Sequence, residues 1–124
     1  MAERYIRPRV KTVSTGIAGR HIWTARHNHV VIDDSMAHGG PGDAPGAGEL
    51  FLAGITGCAT LMMERLACAA NIPLKHVEVN MEGVIDTEAS REGPAVFESA
   101  RLEFVLAGIS QAQAQQFVDT YKRH

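Results

Sequence analysis

The sequence predicts an α+β domain in which helices cover an antiparallel sheet, and three observations carry that prediction. Residues 9–33, "RVKTVSTGIAGRHIWTARHNHVVID", are rich in Val, Ile, Thr and Trp and are interrupted by turn residues. Residues 48–70, "GELFLAGITGCATLMMERLACAA", form the longest apolar run, built of helix-favouring residues. From residue 76, "HVEVNMEG" alternates apolar and polar positions with period two. Strands, then a helix, then a strand pair and a final helix give the α+β order and not the alternating order of a parallel sheet. A chain of 124 residues, 45% hydrophobic, is long enough for one core and too short for two, so residues 1–124 are expected to form a single domain.

The first strands are expected to form a meander broken at Gly16, Gly19 and His27-Asn28. Residues 35–48, "SMAHGGPGDAPGAG", have no periodicity and read as a surface loop. The apolar run that follows is expected to be a buried helix. Gly54 and Gly57 disfavour helix by up to ~1 kcal/mol each relative to Ala, and inside such a helix they predict close approach of another backbone. Asn71 is placed to cap the helix and Pro73 to stop it. Val77, Val79 and Met81 then face the core. "DTEASREGPA" is a polar turn, and Phe97, Leu102, Phe104 and Leu106 are the inward set of a returning strand. The odd spacing from Phe97 to Leu102 predicts a bulge near Glu98, Ser99 and Ala100. Ser110 is the expected N-cap of a last helix that packs through Ile109, Ala112, Phe117, Val118 and Tyr121.

Twelve basic and 14 acidic residues give a formal charge of −2 and a pI near 6.3, which excludes the footprint of a nucleic-acid or anionic-membrane binder. The run from Leu50 to Met63 ends at Glu64 and Arg65, short of a membrane span. The N-terminal "MAERYIRPRV" lacks a secretory apolar core, so a cytoplasmic location is expected. Cys58 and Cys68 are no disulfide scaffold: ten helical residues separate them by about 15 Å of rise, beyond the reach of a bridge. Cys68 reads as a packed structural residue.

Cys58 is the first candidate for chemistry. A thiol in a helix is most often a small hydrophobe, but here a Gly-rich loop feeds the helix, Glu49 stands at its start, and Arg20 and Arg26 lie on the preceding strands. A thiolate needs a cationic neighbour, and an arginine needs a carboxylate to hold its fork. On one straight helix, nine residues turn Glu49 and Cys58 onto opposite faces about 13.5 Å apart. A shared site therefore requires Glu49 to belong to the loop or to a separate turn, or a second subunit to complete it. His27, His29 and His38 lack the spacing of a zinc site and read as solvated turn residues. No phosphate-binding glycine motif is present, and Ser14, Ser35 and Ser110 have no hydrolase context.

The string "HVVIDDSMAHGGPGDAPGAGELFLAGITGCATLMMERLACAANI" resembles the OsmC/Ohr family, through a strand ending in Asp33, Gly39-Gly40, a Gly/Pro loop, Glu49-Leu50 and the helix that carries Gly57-Cys58. The resemblance runs from about Gly19 to the end. It implies an OsmC-like fold over residues 1–124, with an antiparallel sheet on a long buried central helix, the C-terminal helix of which need not be complete at His124. It further implies an intertwined homodimer with sites near the subunit interface. Cys58 would be the peroxidatic cysteine, Glu49 the carboxylate that orients an arginine, and Arg20, in preference to Arg26, that arginine.

The activity implied is thiol-dependent reduction of peroxides, organic hydroperoxides above all. The substrate would be a small-molecule peroxide, with no cofactor or metal and with an external thiol or dithiol as reductant. In peroxidase members of the family a second thiol sits in a Cys-Pro motif on the last helix, which would be expected next after "DTYKRH". The alternative is a non-catalytic OsmC-fold module that binds a small apolar ligand or has a structural role.

Overall fold

A computed structural model of the chain describes residues 4–88 and 97–123. The chain divides into two compact units, residues 1–50 and 51–124. In the first unit, β1 (Lys11–Ser14), β2 (Arg20–Ala25) and β3 (Asn28–Asp33) form an antiparallel meander in sequence order. The β2–β3 turn holds two residues, Arg26 and His27, and Arg26 takes a φ of 57°. Asn28 begins β3 and donates its side-chain amide to the Ala25 carbonyl. The break thus lies one residue earlier than the sequence suggests.

The loop after β3 is ordered by its own backbone. Asp33 N–H donates to the Pro45 carbonyl, Asp34 N–H to that of Gly19, and Gly42 N–H to that of Asp34. Met36–His38 form one turn of 3-10 helix, which the sequence pattern did not indicate. Gly19 and Gly40 pass so close that a Cβ at Gly19 would lie 2.6 Å from the Gly40 Cα, and one at Gly40 would strike the Asp34 carbonyl. Only glycine permits this crossing.

The loop leads into α1 (Ala47–Ala69), which starts ahead of the apolar run and takes in Glu49. At its far end Asn71 adopts a φ of 55°, Ile72 N–H donates to the Ala67 carbonyl and Asn71 N–H to that of Cys68. This is a Schellman motif with Asn at the left-handed position, as Asn71 predicts. By length and composition α1 would suffice to cross a membrane, unlike the 14-residue run counted from the sequence.

In the second unit, α1 and α2 (Gln111–Lys122) pack on the hairpin of β4 (His76–Ile85) and β5 (Phe97–Ala107). Its core is Met63, Ala67 and Phe117, with Leu66, Ile72, Val77, Phe104, Leu106 and Tyr121 against them. Opposite each other across the hairpin stand Val77 and Leu106, Val79 and Phe104, and Met81 and Leu102. All are on the inward face the alternation predicts. The register shifts between Val84 and Ile85, leaving Glu98 unpaired, so the bulge falls in the predicted stretch. Ser110 caps α2 in a complete capping box with Gln113. The expected polar turn lies mostly outside the described residues.

The central helix forms as predicted, but within one chain it is not buried. Only Ala59, Met63 and Ala67 are enclosed, at i, i+4 and i+8, because the hairpin and α2 cover one stripe of the cylinder. Phe51 remains 60% and Leu61 44% exposed. Among the described residues nothing lies within 4 Å of a Cβ built on Gly54 or Gly57, so none of them makes the close approach predicted there.

Candidate functional site

Arg20 opens β2 and Asp33 closes β3, and the antiparallel register places them directly opposite each other. Arg20 Nε donates to Asp33 Oδ1 and Nη2 to Oδ2, both at 2.8 Å, so the fork is gripped on two parallel bonds. Asp33 is 2% exposed, and its Oδ2 also accepts from the backbone N–H groups of Asp43 and Ala44, each at 3.0 Å. The hydrogen bonds from Arg20 and from these amides hold the Asp33 carboxyl down at about 2, against the opposing effect of burial. The same carboxylate raises Arg20, to which Asp43 adds a weaker contact of 3.6 Å from Nη2. Asp33 therefore ties a strand end, an arginine and the glycine-rich loop together.

Glu49 is in the first turn of α1, at its third residue, and its Oε1 accepts from Gly46 N–H at 2.9 Å. That is the reach-back contact of an acidic residue at N3, favoured also by the positive end of the helix dipole. Among the described residues Glu49 makes no ion pair, so within the chain Arg20 is held by Asp33 and not by Glu49. Arg26, the other arginine considered, is exposed in the β2–β3 turn.

Cys58 and Cys68 are each one position off the buried stripe of α1, and both are exposed in the chain. Cys68 is accordingly not the packed residue expected from the sequence; it borders a cavity with Glu64, Lys75 and His76. Cys58 opens on a cavity of about 700 Å³ within the second unit, walled by Leu61, Met62, Leu66 and Tyr121 and flanked by Arg65 and Lys122. Such a pocket can take an aliphatic or aromatic molecule.

His29 and His38 line neither of these cavities. His29 Nδ1 is 2.9 Å from Thr24 Oγ1, and His38 Nδ1 is 2.9 Å from Ser35 Oγ. Among the described residues no three His, Cys, Asp or Glu side chains are arranged to hold a metal ion.

The OsmC-like protein family profile matches residues 40–124, more than half of the chain, and the chain belongs to that family. Its fold is shared with several solved structures. An OsmC-like protein from Mycoplasma pneumoniae superposes with a TM-score of 0.79 at 16% identity, over 93% of this chain and 79% of that one. An organic hydroperoxide resistance protein OsmC from Legionella pneumophila gives 0.72 at 19% identity, over 94% and 82%. A Vibrio cholerae protein with captopril bound in one of its active sites gives 0.72 at 22%, over 97% and 79%. At these identities the likeness establishes the α+β fold, with its two antiparallel sheets and central helix. No curated protein matches the chain significantly.

Proposed function

We propose that this protein is a cysteine-dependent peroxidase that reduces organic hydroperoxides in the cytoplasm. The observation that carries this reading is Cys58: in a chain of the OsmC-like family it stands exposed on the central helix and lines an apolar cavity with two cationic side chains. The structural relative from Legionella pneumophila is itself an organic hydroperoxide resistance protein. In this reading the Cys58 thiolate attacks the terminal peroxide oxygen. The S–O bond forms as the O–O bond breaks, and the departing alkoxide takes a proton and leaves as the alcohol, with Cys58 as a sulfenic acid. Arg20 stabilises the negative charge that passes from sulfur to oxygen. An external dithiol then returns Cys58 to the thiol, being itself oxidised to the disulfide as the sulfenic oxygen leaves in water.

A homodimer belongs to the same proposal. Glu49 lies in the first turn of the same helix as Cys58, an arrangement that supports completion of the site by a second subunit. The exposed Phe51 and Leu61 and the open Gly54 provide a face for it. Glu49 Oε2, which has no partner among the described residues, is then available to the site of the other copy.

The test is treatment with one equivalent of cumene hydroperoxide in the presence of dimedone, followed by intact mass and peptide mapping. Stoichiometric labelling at Cys58 is expected, together with loss of turnover in Cys58→Ser and little loss in Cys68→Ser. The apolar lining of the cavity also suits a binding module without catalysis. That reading prevails if Cys58 is neither labelled nor readily alkylated.

A further inference from the structure

The guanidinium of Arg20 has five N–H donors. Nε–H and one hydrogen of Nη2 go to Asp33, while neither hydrogen of Nη1 has a partner among the described residues. Both oxygens of the Asp33 carboxylate are in turn engaged, with Oδ1 on Nε and Oδ2 on Nη2 and on two backbone amides. A carboxylate so enclosed cannot rotate away, and a planar fork bound to it on two bonds takes a single orientation. Glu49 has a different task in this chain, since its Oε1 closes the N-terminal turn of α1.

From these contacts we infer that Asp33 is the positioning residue for Arg20. It turns the Nε–Nη2 edge inward, leaves the Nη1 edge free to donate and joins both to residues 43–44 of the glycine-rich loop. Its consequence for peroxide reduction rests on the reading of Cys58 and Arg20 as the reacting thiol and its cation. The anchoring itself does not depend on that reading and can be measured without it.

The experiment uses the full chain labelled with 15N at arginine. The Arg20 Nε–H resonance is identified by its disappearance in Arg20→Lys, and its hydrogen exchange is followed in Asp33→Asn and in Glu49→Gln. Asp33→Asn is expected to accelerate that exchange by more than about tenfold, and Glu49→Gln to leave it within about twofold. The converse pattern, protection that survives Asp33→Asn and is lost in Glu49→Gln, overturns the assignment.

Should Asp33→Asn fail to fold, Arg20→Lys reports on the same contact from the other side. The carboxylate carbon resonance of Asp33 is then expected to move while that of Glu49 does not, and the reverse overturns it. In a wild-type protein that reduces cumene hydroperoxide, Asp33→Asn is expected to slow the reaction at least about tenfold, and more than it slows alkylation of Cys58 by iodoacetamide. Equal slowing of both reactions would assign Asp33 to the fold alone. A wild-type protein inert to peroxide removes the proposed function, while the exchange data still decide the anchor.

Discussion

The ring of Phe97 lies against the backbone of Gly83, close enough that a Cβ at Gly83 would collide with the ring edge. Phe97 pairs with Ile85, and the bulge at Glu98 turns its ring back along β4, where it stacks on Phe51 with centroids 5.7 Å apart and planes inclined by 18°. Gly83→Ala must displace the ring and loosen that stack. A loss of about 1–2 kcal/mol is expected, read as a lower urea midpoint. In a Phe97→Ala background the same substitution should cost nothing or stabilise, since alanine favours a strand more than glycine does. A cost that persists there would mean that the ring is not what excludes the side chain.

Acid should act on the first unit through Asp33. Its carboxyl is held down at about 2 against an ordinary 3.8, so the folded state favours the ionised form. The resulting stabilisation is fully present above about pH 4 and is lost as pH falls through about 2. Asp33→Asn removes it at every pH. The difference in denaturation midpoint between wild type and Asp33→Asn is therefore expected to be largest above pH 4 and to shrink toward pH 2. A difference constant over that range would locate the effect of the substitution in packing and not in charge.

The two arginines near the candidate site are separable by experiment. Arg26 sits in a two-residue turn with a φ of 57°, in a region that glycine enters without strain. Arg26→Gly is expected to raise stability slightly, by about 0.5 kcal/mol, and to leave hydroperoxide turnover intact. Arg20→Ala leaves the buried Asp33 without its partner and is expected to lower both. Turnover lost in Arg26→Gly with the melting temperature unchanged would transfer the catalytic arginine to position 26.

That same turn marks the limit of what could be read from the sequence. Element order, the inward positions of both long strands, the bulge, the Asn71 terminus and the Ser110 cap all follow from local pattern, because each is decided within a few residues. Arg20–Asp33 depends on register, which a turn sets for the whole hairpin. A turn at Arg26-His27 pairs Ala25 with Asn28 and hence Arg20 with Asp33. The more obvious break at His27-Asn28 shifts the frame and places Ser35 opposite Arg20, so the pair goes unseen. The signal was the alternation of β3, where Val30 and Ile32 face inward, provided that Asn28 is read as the first strand residue and not as part of the turn. Burial of α1 was misjudged for another reason: an apolar run shows that a helix seeks cover, not that its own chain supplies it.

What covers α1 can be settled by its mass in solution. At 100° per residue, Phe51, Gly54, Cys58, Leu61 and Arg65 fall within about 80° of one another, on the side away from the Ala59, Met63 and Ala67 stripe. This face combines two exposed large side chains with a glycine and the candidate thiol, so a second copy seated on it would exclude water from Cys58. Equilibrium sedimentation is expected to give twice the 13.4 kDa chain mass. Leu61→Glu, which puts a charge on each copy within that face, is expected to shift the protein to a folded 13.4 kDa species with at least about tenfold lower turnover. A wild-type protein that sediments only at 13.4 kDa and still reduces hydroperoxide would refute the dimer and place the whole site in one chain.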